Sequence, residues 1–395
     1  MDVDVHFYCA VPMSDAGRDG PDPTDRRYGQ ADVVACYDNL EHWAVVADDL
    51  GYGTFWLTEH HFQHEGYEVV PNLIQFGQHL ASLTTRLKFG QAFNVVPQWH
   101  PLRLAEDFAL ADVLTRGRMV FGVGRGTVPR EMETLGGVVA SGDNDMAVDI
   151  DQRNRERFAE AMKVIKAAWS QERFAHHGDH FSFPPPGIPD RGSEVTELTL
   201  IPKPRSFPHL PPIYQPVTSP ATIDYAAAAG HVGIVAGGPL ERAAATWDRF
   251  ATTAAANGRP LAPGEGRAFH LNIHVGRTTA DALRVGRNAH DEYVKFLAPY
   301  GRFKHYRDGE APFDFQPSIE ETMEAETMAI GSVEQVADLL GRAADRLDLQ
   351  QLLLFPDFPG LSRDEIDEQL HLIAAEVLPR IGIQLGATAE GASLG

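Results

Sequence analysis

Three adjacent residues that can accept or donate protons follow the end of an apolar run. Glu59, His60 and His61 directly follow Thr54–Thr58, which has the pattern of a buried strand. Histidine titrates near neutral pH, so an imidazole here can accept or donate a proton under cellular conditions. We predict that these three residues are catalytic, while a purely structural role, in which the imidazoles cap the strand end, stays open.

The same stretch also raises the question of metal binding. His60 and His64 are four residues apart, a spacing that places two ligands on one face of a helix. The segment is predicted as a loop, however, so the spacing loses that meaning. Further histidine pairs occur at His177/His180 and His270/His274. A metal-dependent barrel hydrolase therefore stays an alternative.

A glycine-rich turn with one arginine follows a second apolar run, Arg118–Val123. Gly124 and Gly126 flank Arg125; glycines let the backbone approach a ligand, and the planar guanidinium suits phosphate oxygens. The GxGxG spacing and the position on the fourth strand argue against a dinucleotide fingerprint, which needs GxGxxG after the first. The turn is predicted to form one wall of a phosphate site.

The segment Gln215–Thr222 is the candidate for the opposite wall. Ser219 has the character of a helix N-cap, followed by Pro220 at the first helical position. The start of a helix attracts phosphate, and the hydroxyls of Thr218, Ser219 and Thr222 could add contacts. Taken alone, a Ser-Pro helix start is more often structural.

A third loop joins a strand to a helix that begins with proline. In Gly90–Pro101 the strand ends near Ala92, Phe93 and Asn94. Side chains of Phe93 and Asn94 alternate in direction, so we expect one of them to face a flat aromatic ligand in the mouth of the fold.

Strand-like and helix-like segments alternate along the chain. Strands are predicted at Val3–Val11, Thr54–Thr58, Leu87–Val96, Arg118–Val123, Pro212–Pro216, His231–Ala236, Ala268–Gly276 and Gln350–Phe355. Helices are predicted at Asp32–Leu50, Asn72–Leu83, Pro101–Leu114, Gln152–Trp169, Pro220–Ala229, Pro239–Asn257, Thr279–Leu297, Val333–Leu347 and Arg363–Leu378. Such alternation demands a parallel sheet, and eight units close most simply into an α/β (β/α)8 TIM barrel.

We expect one domain over residues 1–381 and a flexible tail over 382–395. Insertions at about 176–212 and 299–328 interrupt the alternation. Long loops of this kind commonly carry binding functions, with surface decoration as the alternative. Their aromatic and proline content favours a roomy apolar substrate pocket.

Composition limits the cellular setting and the partners. The 395 residues carry a formal net charge of -21, which disfavours nucleic acid and anionic membranes as partners. Two cysteines, an acidic N-terminal segment and no bilayer-length apolar run indicate a cytoplasmic protein.

Three sequence runs, in this order and spacing, resemble the bacterial-luciferase-like flavin monooxygenases: TEHHF at 58–62, GQAFNVVPQWHPLRLAED at 90–107 and GRMVFGVGRG at 117–126. By this resemblance His60 is the active-site histidine, with Glu59 and His61 as neighbours. Ala92–Phe93 matches a non-proline cis peptide beneath the flavin ring.

The resemblance extends to the phosphate site and includes two departures. Arg125, Ser219 and Thr222 match the phosphate-binding positions of the family. Thr218 stands where luciferase has a carboxylate, and Gly124 replaces the reactive cysteine of luciferase. The second departure indicates an ordinary monooxygenase rather than a light emitter.

The resemblance implies a two-component enzyme. A separate flavin reductase would supply reduced FMN, which would react with O2 to a flavin hydroperoxide that inserts one oxygen atom into a small organic substrate, at a carbonyl or at an electron-rich carbon. A homodimer is expected. The alternatives on the same fold are a deazaflavin-dependent hydride-transfer oxidoreductase and a flavin-binding protein without enzymatic activity.

Overall fold

Eight parallel strands close into a barrel. The structure, a computed structural model, describes residues 1–138, 145–303 and 311–386, with only the backbone for 145–148. The barrel strands are β1 (Asp2–Phe7), β2 (Thr54–Leu57), β3 (Lys88–Gln91), β4 (Met119–Gly124), β5 (Ile213–Pro216), β6 (Val232–Ala236), β7 (Arg267–Gly276) and β8 (Gln351–Phe355). They pair in the order β5-β6-β7-β8-β1-β2-β3-β4, and β4 pairs again with β5. The predicted (β/α)8 barrel is confirmed.

Helices surround the barrel. They are α1 (Gln30–Leu50), α2 (Leu73–Leu83), α3 (Pro101–Leu114), α4 (Pro129–Thr134), α5 (Asp145–Ser170), α6 (Pro220–Ala229), α7 (Leu240–Ala256), α8 (Thr279–Leu297), α9 (Ile319–Glu324), α10 (Val333–Leu347) and α11 (Arg363–Leu372). A π turn at Ile373–Val377 and a 3-10 turn at Leu378–Ile381 continue the closing helix. Within the described residues, no helix is long and apolar enough to span a bilayer.

Side chains from strands on different sides of the barrel meet inside it. Trp56, Ile234, Ala268 and Leu353 form a small apolar cluster separate from the larger core between strands and helices. The indole N–H of Trp56 donates to Asp4 at 2.8 Å, so the polar group of this large side chain is satisfied. The interior is therefore packed rather than open, as in other α/β barrels.

The third predicted strand is interrupted. Instead of running from Leu87 to Val96, β3 ends at Gln91, the Ala92–Phe93 bond is cis, and Asn94–Val95 form a short strand against β4.

A further short strand, Ala329–Ser332, was not predicted. It pairs with the end of β7, which at ten residues is longer than its barrel partner β8. Four residues are too few to show a period in the sequence.

The two insertions contain little regular structure. The first holds hairpins of two-residue strands, His176–His177 with Ser182–Phe183 and Pro189–Asp190 with Ser193–Glu194. The second includes α9, and its residues 304–310 lie outside the described part. In the predicted tail, Ile383 and Leu385 still pack on the core, while 387–395 lie outside the described residues.

Candidate active site

His60 lies between two carboxylates at the carboxyl end of β2. Its Nδ1 is 3.0 Å from Oε1 of Glu131, and its Nε2 is 3.1 Å from Oε1 of Glu68. Burial favours the neutral ring, but the charge of Glu68 and the hydrogen bond with Glu131 outweigh it and raise the pKa of His60 to about 10. The imidazole is therefore a cation at neutral pH, with a hydrogen on each nitrogen.

Glu131 lies in α4, a helix that was not predicted from the sequence. Pro129 begins this helix, and its six residues are too short to show an amphipathic period. Burial alone would raise the pKa of Glu131, but the hydrogen bond from His60 lowers it. Neither Glu68 nor Glu131 was predicted as a site residue, because each reaches His60 through the tertiary fold.

Glu59 and His61 face away from the Glu68–Glu131 pair. Glu59 is buried; its Oε2 accepts from the Val95 backbone N–H at 3.1 Å, and its Oε1 accepts from the Trp99 indole at 3.0 Å. His61 Nε2 lies 3.1 Å from the same Oε1. Through these contacts Glu59 holds the segment after β3 in place, and its predicted catalytic role stays a prediction.

Replacing Glu59 should therefore destabilise the fold. Glu59→Ala removes the acceptor of the buried Val95 N–H and of the partly buried Trp99 indole, and we expect it to lower the free energy of unfolding by about 3 kcal/mol, measured by urea denaturation. Glu59→Gln, which can still accept, should lose less. The control is Glu41→Ala at an exposed pair with His79, where less than about 1 kcal/mol is expected. Equal losses at Glu59 and Glu41 would contradict this role.

The cis peptide predicted from the family resemblance is present. Ala92–Phe93 is a non-proline cis bond, and an added Cβ on Gly124 would come within 3.2 Å of the Phe93 Cβ. The amide of Asn94 is buried and donates to the Gly122 carbonyl at 3.0 Å. Phe93, which is half-buried, is therefore the residue of this pair placed toward the mouth.

A cavity of about 270 Å³ brings two of the predicted phosphate-binding residues together. Arg125 and Thr222 both line it, together with Ala221 in the first turn of α6. Arg155 of α5 also lines it and was not predicted. The turn after β4 and the start of α6 thus share one cavity with two guanidinium groups and the carboxylate of Glu156.

Asp151 accepts hydrogen bonds from both arginines of this cavity. Its Oδ1 accepts from Arg125 Nη1 at 2.7 Å, and its Oδ2 accepts from Arg155 Nε at 2.8 Å. Burial raises the pKa of Asp151, but the hydrogen bonds from Arg125 and Arg155 outweigh it and lower that pKa. The two guanidinium groups are thus kept beside each other by one carboxylate.

The remaining predicted residues at the start of α6 bond to one another. The Thr222 hydroxyl accepts from the Thr218 and Ser219 backbone N–H groups at 3.1 and 2.9 Å, and the Ser219 hydroxyl caps the Thr222 N–H. Thr218 and Ser219 are not among the residues that line the cavity. Their observed role is to build the helix start.

The turn at Gly126 connects the cavity with the His60 group. Gly126 has a φ of 78°, and an added Cβ there would meet the Met132 sulfur at 2.0 Å and Val95 at 2.8 Å. Met132 is the neighbour of Glu131, which binds His60. The turn that carries Arg125 therefore packs on α4, the helix that supplies Glu131 to His60.

The histidines considered as metal ligands contact different side chains. His61 lies on Glu59, whereas His64 contacts Glu65 at 3.2 Å, and Glu65 also binds Arg130. Over the described ranges, no group of three or more His, Cys, Asp or Glu side chains is arranged to hold a metal ion.

The fold and these clusters define a class of protein. A closed parallel barrel with a charged histidine, a cis peptide and an arginine-lined cavity at its carboxyl end has the layout of an α/β-barrel enzyme. The sequence profile of the luciferase-like monooxygenases matches residues 18–349. The chain belongs to this family, which confirms the family resemblance and the predicted enzyme class.

Two relatives of this chain are also named as monooxygenases. The 4-hydroxyprotoasukamycin monooxygenase of Streptomyces nodosus subsp. asukaensis is 25% identical over 92% of this chain and 91% of its own length. The oxygenase component of the flavin-dependent trigonelline monooxygenase of Acinetobacter baylyi is 28% identical, over 48% of this chain and 46% of its own length.

A solved structure shares the fold. The oxygenating constituent of 3,6-diketocamphane monooxygenase from Pseudomonas putida, a type II Baeyer-Villiger monooxygenase in complex with FMN, superposes with a TM-score of 0.75 at 18% identity, covering 96% of this chain and 99% of its own.

Proposed function

We propose that this protein is the oxygenase of a two-component system that uses FMN, reduced by a separate flavin reductase, and O2 to insert one oxygen atom into a small organic molecule. The observation that carries the proposal is the cavity shared by Arg125, Arg155 and the start of α6, one packed turn away from the charged His60. The names of the two oxygenase components described above support an external source of electrons.

The residues of the cavity fit the phosphate end of FMN. Arg125 and Arg155 offer guanidinium donors, and the first turn of α6 adds the positive end of a ten-residue helix. The Ala92–Phe93 turn packs directly on Gly124, where an added Cβ would come within 3.2 Å of the Phe93 Cβ, so the glycine lets this turn approach the end of β4 at the barrel mouth. Bound reduced FMN would supply the electrons that activate O2.

His60 acts in this proposal as a donor rather than as a base. Its pKa of about 10 keeps both ring nitrogens protonated at neutral pH, with Glu68 and Glu131 holding the ring in one orientation. The protonated imidazole, held by these two carboxylates, is a source of a proton for a group that develops negative charge nearby. Glu68 and Glu131 are positioning residues for that proton.

Binding of reduced FMN tests the proposal. Under anaerobic conditions, the purified protein should bind photoreduced FMN in preference to reduced coenzyme F420, measured by equilibrium dialysis. On rapid mixing with O2, the bound flavin should regain the absorbance of oxidised FMN more slowly than free flavin in the same buffer. A preference for the deazaflavin, or reoxidation as fast as in buffer, would refute it.

A further inference from the structure

A second group of polar side chains lies inside the barrel. His6 and Tyr8 on and just after β1 share the inward direction of Asp4, and His270 and Asn272 on β7 share that of Ala268, because side chains alternate along a strand. We call His6, Tyr8, His270 and Asn272 the β1–β7 polar cluster.

An aromatic ring from β8 stands at the centre of the cluster. β8 lies between β1 and β7 in the barrel. Its last residue, Phe355, has its ring centroid 4.8 Å from that of His6, 5.4 Å from that of His270 and 5.6 Å from that of Tyr8. Asn272 is the backbone partner of Phe355. The polar groups thus surround one apolar surface.

Three polar atoms of the cluster are left without a partner. His6 Nδ1 is 2.8 Å from His270 Nε2. The other ring nitrogen of His6, the hydroxyl of Tyr8 and the amide nitrogen of Asn272 are buried and have no hydrogen-bond partner within the described residues. Burying an unpaired polar atom is unfavourable, so three of them around one ring at the carboxyl end of a barrel indicate a ligand that completes them.

The unpaired groups are uncharged, and the Tyr8 hydroxyl and the Asn272 amide both carry hydrogens. Burial lowers the pKa of His270 to about 4 and that of His6 well below its usual value, so both rings are neutral at neutral pH. When His270 donates to His6 Nδ1, His6 carries its hydrogen on Nε2. Together with the Tyr8 hydroxyl and the Asn272 amide, the cluster then presents donors to an uncharged acceptor.

The cluster borders the His60 group. Burial raises the pKa of Tyr8, and the negative charge of nearby Glu68 raises it further. Glu68 is the carboxylate that binds His60 Nε2. The hydroxyl of Thr58, two residues before His60, also donates to the Tyr8 carbonyl at 3.3 Å, so the cluster and the His60 group meet at the adjacent ends of β1 and β2.

We propose that the β1–β7 polar cluster binds the carbonyl oxygen of an uncharged organic molecule whose apolar skeleton packs on Phe355. The substrate class of the monooxygenase is then a neutral carbonyl compound rather than a plain hydrocarbon or an organic anion. The use of this site in oxygenation rests on the proposed function, but the binding itself needs no flavin.

Three ligands with the same eight-membered ring test the proposal on the flavin-free protein: cyclooctanone, cyclooctane and cyclooctanecarboxylate. We expect cyclooctanone to bind at least about tenfold more tightly than the other two, by calorimetric or NMR titration. A purely apolar pocket gives the opposite order for the first two, since the ketone must lose its hydration. No binding of cyclooctanone, or equal or tighter binding of either other ligand, overturns the proposal.

Asn272→Leu provides a second measurement. This near-isosteric change removes one donor, so cyclooctanone should bind about tenfold more weakly while cyclooctane binding is unchanged. Its free energy of unfolding should not fall, because an unpaired buried amide is removed. The control, His274→Leu, changes a buried ring on the same strand that packs against Gly286 of α8. It should leave the preference unchanged.

Each outcome separates this inference from the proposed function. A loss of cyclooctanone preference in His274→Leu equal to that in Asn272→Leu would overturn the assignment of the site. A protein that binds reduced FMN as proposed but does not prefer the ketone refutes the β1–β7 polar cluster alone. A protein that prefers the ketone but does not bind reduced FMN refutes the proposed function alone.

Discussion

Arg125→Ala is expected to weaken the binding of reduced FMN by about tenfold to a hundredfold. A charge-assisted hydrogen bond to phosphate contributes on the order of 1.5–3 kcal/mol. In the variant, Asp151 also loses one of the two cations that it accepts from, so its negative charge faces an incoming phosphate. The dissociation constant, measured by anaerobic fluorescence titration, should therefore rise.

Riboflavin separates the phosphate contact from general damage. It carries the same ring system without a phosphate, so Arg125→Ala should leave its dissociation constant unchanged within about a factor of two. Arg125→Lys should recover only part of the FMN affinity, because a lysine cannot form the paired contacts of a guanidinium. If riboflavin and FMN lose the same factor, Arg125 does not bind the phosphate.

His60→Gln is expected to change the stability of the protein in a pH-dependent way. In the wild type, the folded-state pKa of His60 is raised from 6.5 to about 10. A raised pKa means that the charged ring stabilises the fold fully below pH 6.5, and that this contribution is lost as the pH rises towards 10. Over that window the contribution amounts to on the order of 5 kcal/mol.

The difference between the two proteins isolates this contribution. The free energy of unfolding of wild type minus that of His60→Gln should be largest at about pH 6 and should shrink steadily up to about pH 10, in urea denaturation at each pH. The subtraction removes titrations common to both proteins. His79→Gln, at an exposed pair with Glu41, serves as the surface control, with an effect below about 1 kcal/mol. A difference that does not depend on pH would show that His60 is not held as a cation.

Glu131→Gln tests directly how much the charge of Glu131 raises the pKa of His60. Glutamine keeps a hydrogen-bond acceptor near Nδ1 but removes a negative charge. The pKa of His60, followed by NMR of a histidine-labelled sample, should then fall from about 10 toward its usual value. An unchanged pKa would leave Glu68 as the sole source of the shift.

Local patterns in the sequence were sufficient for most of the scaffold. Helices α3, α6, α8 and α10 begin and end at the predicted residues. In α6, Ser219 at the N-cap, Pro220 at the first position and Gly230 at the C-cap each act through contacts within a few residues. Such signals are visible in a single chain because their partners are adjacent in it.

The motif residues were also found, but their roles were assigned only in part. Arg125 and Thr222 do share a cavity, and the Ala92–Phe93 bond is cis. Glu59, predicted as catalytic, accepts hydrogen bonds from Val95 and Trp99, which the sequence did not indicate. A glutamate in a sequence does not show whether its carboxylate will face a substrate or a backbone N–H group. The residues that surround it in the folded structure determine which of these it contacts.

What the sequence by itself determined was the order of strands and helices, the barrel that this order closes, and the short motifs at the ends of strands. The tertiary structure alone decided the charge states and partners. His60 is a cation because Glu68 and also Glu131, 71 positions away, contact its ring, and the neutral pair of His6 and His270 joins residues 264 positions apart. The physical reason is that pKa values and buried hydrogen bonds depend on distance in space, which chain folding sets and local sequence does not record.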